Sequence, residues 1–591
     1  MHVPRQFVLG SMLSLVLTAL VAAQDTGAPR AELYGPLGPG PRVHPDRLCV
    51  KLAEGSGAEL VAGHLRSRTG VDLCAVDAWF QQGAATPLVT ALSWDELDCW
   101  HERACEALPE GHRPGHMGLW FRLQAPTAAL ATFLLDRLKR EPLVTNVYRE
   151  PIPGAACAAA PQDIPPPTPS FTQFQYTFDP SPYGHGIWQA QGVLGARGQG
   201  VALRMVEYDF YLDHEDVPAL VASHVLGVLP PGLPGQSNHG VAAAGLLAGE
   251  RNGYGLTGVV DEVDLELVAY PQNGGVENAM FMAAASCQPG DVVLTVLQFL
   301  LGQYGNQDWV PLEFLQATFD ATLTVTGNGR IVVNNAANGS ASLDDPRFLR
   351  RFDRTFRDSG AIMVSSSAAG VLQRAAYANW GSRVDAHSWG DDVVATGYGT
   401  HFYPNQDRRQ AYTQAYSGTS AGSTTTCGIV CALQGAARRQ LERSLIGAEL
   451  RQLFAAYGPA TNDGIGRRPD VPAIMRSLGI LDGLSMAAPD TAVGGSIVAE
   501  LDGPPGSGAL LLGSFGVSTP GLDLGLNRRV HLDQGSAFTV GYFPLPQGAA
   551  TWTLNVPNNP GFAGLNLYFQ AGRLSGAGPL HVTNSCQATI Y

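Results

Sequence analysis

Positive charge is scarce in this chain: 37 Lys and Arg stand against 51 Asp and Glu, a net charge of −14, and 15% of the 591 residues are charged at all. That balance argues against a nucleic-acid partner, which draws a basic face. Long apolar runs are missing beyond the N-terminus, since VVLTVLQFLL at 292 to 301 is core-sized and too short to span a bilayer. No Cys/His spacing resembles a zinc array, and no acidic loop has a readable calcium-ligand spacing. What remains is a globular chain of 45% hydrophobic content, long enough for about three or four domains. Its 70 Gly and 41 Pro imply many turns and long connections.

The first residues carry Arg5, the apolar run FVLGSMLSLVLTALVA and the small residues Val21, Ala22 and Ala23 before a polar stretch. This reads as a secretory leader over 1–23, cleaved after Ala23, and predicts a secreted or extracytoplasmic protein with no stable membrane anchor once the leader is gone. A retained start-of-chain anchor is the alternative. Nine Cys in an exported protein allow disulfides, five of them in the first third (Cys49, Cys74, Cys99, Cys105, Cys157), with a pairing that spacing alone does not give. Cys427 and Cys431, four apart on a predicted helix, read as buried thiols.

Three regions follow the leader. Residues 24–165 mix strand-like LCVKLA (48–53) and PLVTNVY with a helix-like run at 127–140, a small α+β domain that ends in the proline-rich linker PQDIPPPTPS (161–170). Residues 170–480 alternate apolar runs with amphipathic segments. VALRMV (201–206), LELVAY (265–270), DVVLTVL (291–297), RIVVNN (330–335) and AIMVSS (361–366) read as buried strands, with helices near 239–249, 276–286, 311–321 and 345–358. That alternation predicts an α/β fold with a doubly wound parallel sheet. Residues 485–591 lose the helical signal and predict an all-β, sandwich-like module whose ligand no aromatic or acidic cluster specifies.

In an open parallel sheet the site forms beyond the carboxyl ends of the strands. The residues there are Glu207 and Asp209 after the first strand, His239 opening a helix, Asn338 after RIVV, and Ser420 in SGTSAG, followed by the small-residue run TTTCGIVCALQG. A serine hydroxyl becomes a nucleophile only beside a base and near oxyanion donors. Gly418 to Gly422 also fits the G-x-S-x-G elbow of α/β-hydrolases, but that triad runs Ser, acid, His and would have to use His531 or His581 in the β-rich tail. The bland readings are a serine capping a helix, a His as a helix cap and an Asn in a turn. Asn338-Gly339-Ser340 is also a glycosylation sequon, discounted because it would lie in a cleft.

Taken together, these motifs resemble the subtilisin-like serine proteases, whose order is acid, histidine, serine. GTSAG resembles the family's nucleophile motif, HGVAAAG its histidine helix, IVVNNAA with Asn338 its oxyanion segment, and YANWGSRVDAHSWG (377–390) the stretch between Asn and Ser. The family's acid precedes a His-Pro-Asp-like turn by seven positions. Counting back from His214 gives Glu207 (214 − 7 = 207), where the family has Asp; Asp209, on the same face of an extended strand, is the rival. The chain also departs at Ala242, Thr424 and Ala337, and carries Val296, Leu297, Gln298 where the family's cleft strand reads Ser-Leu-Gly. The resemblance implies a serine endopeptidase acting on polypeptides through an acyl-enzyme, with no cofactor for the chemistry, and with residues 24–165 as a propeptide. A structural calcium belongs to the same implication. The alternative is a catalytically degenerate, secreted binding or structural protein on the same fold.

Overall fold

Buried parallel strands need contiguous apolar residues because both faces are covered, and the five apolar runs do become strands. The structure is a computed structural model that describes residues 43–108, 113–151, 154–155, 167–233, 235–302, 309–488, 490–526, 528–574 and 580–591. The leader and most of the proline-rich linker lie outside the described residues.

The N-terminal region builds an antiparallel sheet from β1 (Val43–Leu52), β2 (Ala84–Pro87), β3 (Trp120–Gln124) and β4 (Val144–Pro151), in the order β2-β3-β1-β4. Helices α1 (Trp94–Ala107) and α2 (Ala128–Leu138) accompany it. α1 starts on a complete capping box, in which Ser93 accepts from Glu96 N–H and Glu96 reaches back to Ser93. Past β4, a two-residue strand β5 (Gly154–Ala155) leaves this sheet altogether.

The central sheet takes β6 (Ala202–Glu207), β7 (Asp264–Ala269), β8 (Val292–Thr295), β11 (Ile331–Asn335), β12 (Ile362–Ser367) and β13 (Ala386–Trp389), with β9 (Leu297–Leu300) and β10 (Trp309–Pro311) falling between β8 and β11 in the chain. Its order is β13-β12-β11-β8-β6-β7, all parallel. The direction of winding reverses at β6, so the crevice lies at the carboxyl ends of β6 and β8. α3 (Gln236–Ala248), α4 (Val276–Ala285) and α5 (Gln316–Gly327) cover it. β14 (Val393–Thr396) and β15 (Tyr412–Tyr416) form a hairpin that delivers the chain to α6 (Thr419–Gln440), a helix buried along almost its whole length against β12, β13 and α3.

Two helix expectations shift. The one at 311–321 begins later, at Gln316, because Trp309–Pro311 is a strand. The one at 345–358 is replaced by turns with a single short 3-10 segment, Pro346–Phe348. Leu349 and Arg350 have φ of 54° and 59°, and Asp353 Oδ1 accepts from both Thr355 N–H and its hydroxyl, local bonds that compete with helix formation.

From residue 484 the described chain is mainly β, with one short 3-10 segment at Pro560–Phe562: β16 (Leu484–Ala488), β17 (Ser496–Asp502), β18 (Ser507–Ser514), β19 (Phe538–Leu545), β20 (Ala549–Asn555), β21 (Asn566–Leu574) and β22 (Cys586–Ile590). They pair as β16-β17-β20 and β22-β21-β18-β19, with Leu484, Ile497, Leu511, Phe569 and Ala588 in a shared core. The far end of α6 is tied to this region: Gln440 Nε2 donates to Leu194 O and Ser585 Oγ, and its Oε1 accepts from Ser585 N–H. The fold is thus mixed α/β with a six-stranded parallel sheet and additional β-sheets. The eight described cysteines are all free thiols. Among the described residues no helix is long and apolar enough to cross a membrane.

The N-terminal sheet packs on α4 and α5. Thr90 N–H and Ala91 N–H donate to Asn278 Oδ1, Arg122 Nη2 donates to Gly274 O, and Asn328 Nδ2 donates to Trp100 O. Trp100, Met117 and Trp120 share one hydrophobic cluster with Phe281 and Val325.

Candidate active site

Glu207 is the last residue of β6 and His239 lies in the first turn of α3; both are fully buried. α3 comes this close because Gly240 leaves no side chain against the Asp209 carbonyl. Glu207 Oε1 lies 2.5 Å from His239 Nδ1, and Oε2 accepts from Tyr208 N–H at 2.7 Å. A carboxylate only accepts, so Nδ1 carries the proton and Nε2 keeps its lone pair. Tyr416 packs edge-on to the imidazole, ring centroids 5.6 Å apart.

Asp209, the rival acid, is engaged elsewhere. Its Oδ1 accepts from Phe210 N–H at 2.8 Å and its Oδ2 from Leu233 N–H at 2.6 Å, closing the loop before α3. Burial raises its pKa while those backbone donors oppose the shift. The structure joins Glu207, and not Asp209, to His239.

Ser420 is the second residue of α6, fully buried, after Gly418 as N-cap. Ser420 Oγ and His239 Nε2 both lack a hydrogen-bond partner among the described residues, so the site presents an unspent hydroxyl and an unspent imidazole nitrogen with no hydrogen bond between them. Asn338 Oδ1 accepts from Thr419 N–H at 2.9 Å and from Thr419 Oγ1 at 2.8 Å. Because a backbone N–H can only donate, this fixes the amide orientation and turns Nδ2 outward. Gly418 has φ 90° and ψ 175°, a conformation essentially reserved for glycine. A Cβ there would lie 3.0 Å from Asn338 Nδ2 and 3.6 Å from Ser420 N, so the two donors flank one small volume, as an oxyanion pocket requires. Gly418→Ala is therefore expected to destabilise the fold by about 1–3 kcal/mol and to displace the Asn338 amide. Urea unfolding checks the first effect, and slower modification of Ser420 in the folded variant checks the second.

The structure thus joins Glu207 to His239, ties Asn338 through Thr419 to the start of the helix that carries Ser420, and leaves Asp209 in the loop before α3. Among the described residues no group of three or more His, Cys, Asp or Glu is placed to hold a metal ion.

No protein-family model and no curated protein matches the chain. Among solved structures it is similar to the epidermin leader peptide processing serine protease EpiP from Staphylococcus aureus, at 11% identity and a TM-score of 0.44 over 73% of this chain and 98% of that one. It is also similar to the serine protease of Aeromonas sobria, at 14% identity and a TM-score of 0.40 over 73% and 96%. A third is MycP1 from the ESX-1 type VII secretion system, at 15% identity and a TM-score of 0.38 over 54% and 89%. Likeness this distant carries no functional argument; the residues of the site must carry it.

Two residues at the site escaped sequence reasoning. Gln298 on β9 accepts from Asn338 N–H at 2.8 Å, and Asn379 ties the Asn338 turn at several points. Gln298 was visible only as a departure from the family's cleft strand, and Asn379 only as part of YANWG.

Proposed function

We propose that the chain is a secreted serine endopeptidase of subtilisin-like arrangement that cleaves polypeptides through an acyl-enzyme. The observation that carries this reading is the Glu207–His239 contact at 2.5 Å, which leaves Nε2 unprotonated, while Nε2 and the buried Ser420 hydroxyl both lack a hydrogen-bond partner among the described residues. Ser420 Oγ attacks the scissile carbonyl as His239 Nε2 takes its proton. The oxyanion is bound by Asn338 Nδ2 and Ser420 N–H, and Glu207 stabilises the imidazolium. His239 then protonates the leaving amine as the C–N bond breaks. Water, deprotonated by His239, attacks the ester, and Ser420 regains its proton as the acid leaves.

The leader at 1–23 supports export, and residues 24–165 are read as a propeptide. In support, β5 pairs antiparallel on β9, Gly154 opposite Gln298 and Ala155 opposite Leu297, with β10 on the other edge of β9. An extended peptide added to a strand edge in this way is how a substrate would lie. Processing between about residues 150 and 180 would release that strand from the edge of β9.

The deciding experiment labels the processed protein with a serine-directed fluorophosphonate, with Ser420→Ala as control. Labelling of the first and not the second is expected, and Ser420→Ala is expected to keep its N-terminal third attached. Absence of labelling in fully processed protein would leave the degenerate, binding-only reading in its place.

A further inference from the structure

The turn that carries Asn338 does not hold its own shape. Ala337 and Ser340 have φ of 68° and 49°, the left-handed region that costs a side-chain-bearing residue about 1–2 kcal/mol. Two side-chain amides brace it. Asn379, fully buried, accepts from Gly339 N–H at 3.1 Å and Ala341 N–H at 2.9 Å, and donates to Ala336 O at 2.8 Å and Trp309 O at 2.8 Å. Three of these four bonds land within three residues of Asn338, and the fourth ties the turn to β10. The backbone N–H of Asn338 itself goes to Gln298 Oε1 at 2.8 Å, from a side chain that is 2% exposed.

Gln298 occupies a particular place. It lies on β9, in register with Gly154 of β5 on one side and Pro311 of β10 on the other. The strand proposed to receive the peptide backbone therefore also holds, through one side chain, the residue proposed to receive the oxyanion. We infer that Gln298 is a positioning residue for the reaction: its Oε1 fixes the Asn338 backbone so that the Asn338 amide stays aimed at the space beside Gly418 and Ser420 N–H. Without that acceptor, Asn338 N–H is stranded and the turn relaxes to satisfy it. A displacement of about 1 Å at such a donor slows a reaction by up to about 10²-fold. Substrate binding does not depend on this aim, because the oxyanion contact strengthens only as charge develops.

This inference rests on the catalytic reading above, and the experiment separates the two. Processed wild type, Gln298→Met, Asn338→Ala and the double variant are treated with the fluorophosphonate, and the labelling rate is resolved into its maximal rate and its half-saturating concentration. Gln298→Met is expected to lower the maximal rate about 10-fold, with half-saturation within about twofold. In the Asn338→Ala background the same substitution is expected to change neither, since coupled residues are non-additive. Should Gln298→Met not accumulate as folded protein, Gln298→Asn, which withdraws the acceptor but stays polar, goes through the same cycle. Additive effects, or a single variant that labels at the wild-type rate, overturn the inference while leaving the enzyme intact. A wild type that does not label overturns both.

Discussion

Glu207→Gln is expected to reduce turnover by about 10³–10⁴-fold, while Asp209→Asn stays within about tenfold of wild type. The asymmetry follows from what each carboxylate touches. Tyr208 N–H can only donate, so the carbonyl oxygen of a glutamine at 207 turns toward it and the NH₂ group turns toward His239. The imidazole must then accept at Nδ1 and carry its proton on Nε2, the wrong tautomer to deprotonate Ser420. The charge that stabilises the imidazolium is lost as well. Asp209 meets backbone N–H groups of Phe210, Leu233 and Gly232, and asparagine keeps one acceptor for them, so the cost falls on the loop before α3. Fluorophosphonate labelling rates, with peptide turnover once a substrate is known, distinguish the cases. Loss of activity in Asp209→Asn alone would show that the wrong carboxylate has been paired with His239.

The second large effect is on stability. Glu277, at the start of α4, borders a cavity of about 510 Å³ where the N-terminal sheet meets the central domain, with Arg122, Tyr148, Glu150, Tyr270 and Phe299 also in its lining. Burial lifts its carboxyl from an ordinary 4.5 to about 7; Glu150 adds to the shift and Arg122 opposes it. The folded state therefore favours the neutral acid while the unfolded chain ionises above 4.5. The stabilisation is complete below that value and is lost as pH rises toward 7, a loss on the order of 3 kcal/mol. Glu277→Gln is expected to flatten the slope between pH 5 and 7 and to be the more stable protein at pH 8. Urea unfolding in a Ser420→Ala background measures both. An unchanged slope in the variant would remove Glu277 as the origin.

The parts of the molecule legible in the sequence are those whose cause is local. VALRMV, RIVVNN and AIMVSS read as parallel strands because burial on both faces leaves them no room for polar alternation. Glu207 ends β6, His239 lies in the first turn of α3 and Asn338 follows β11 by three residues, places legible in the sequence because sheet topology puts the crevice beyond the strand ends. What stayed hidden depends on distant pairings. Gln298 and Asn338 are 40 residues apart, as are Gly339 and Asn379, and nothing in either segment alone announces the bond. The segment 345–358 misled because its apolar spacing suits a helix while Asp353 captures its own neighbours. The departure of β5 from its own sheet to the edge of β9 is equally invisible, since Gly154-Ala155 carries no strand signal.

α6 begins one residue before Ser420 and runs 22 residues, about 33 Å, to Gln440, which grips Ser585. It behaves as a shaft, with the proposed nucleophile at one end and the β-rich tail bonded to the other. A tail joined by a flexible tether could be traded among related chains like a handle. This one is keyed into the rod that begins at Ser420, so a change in the tail at Ser585 is felt at the far end of that rod.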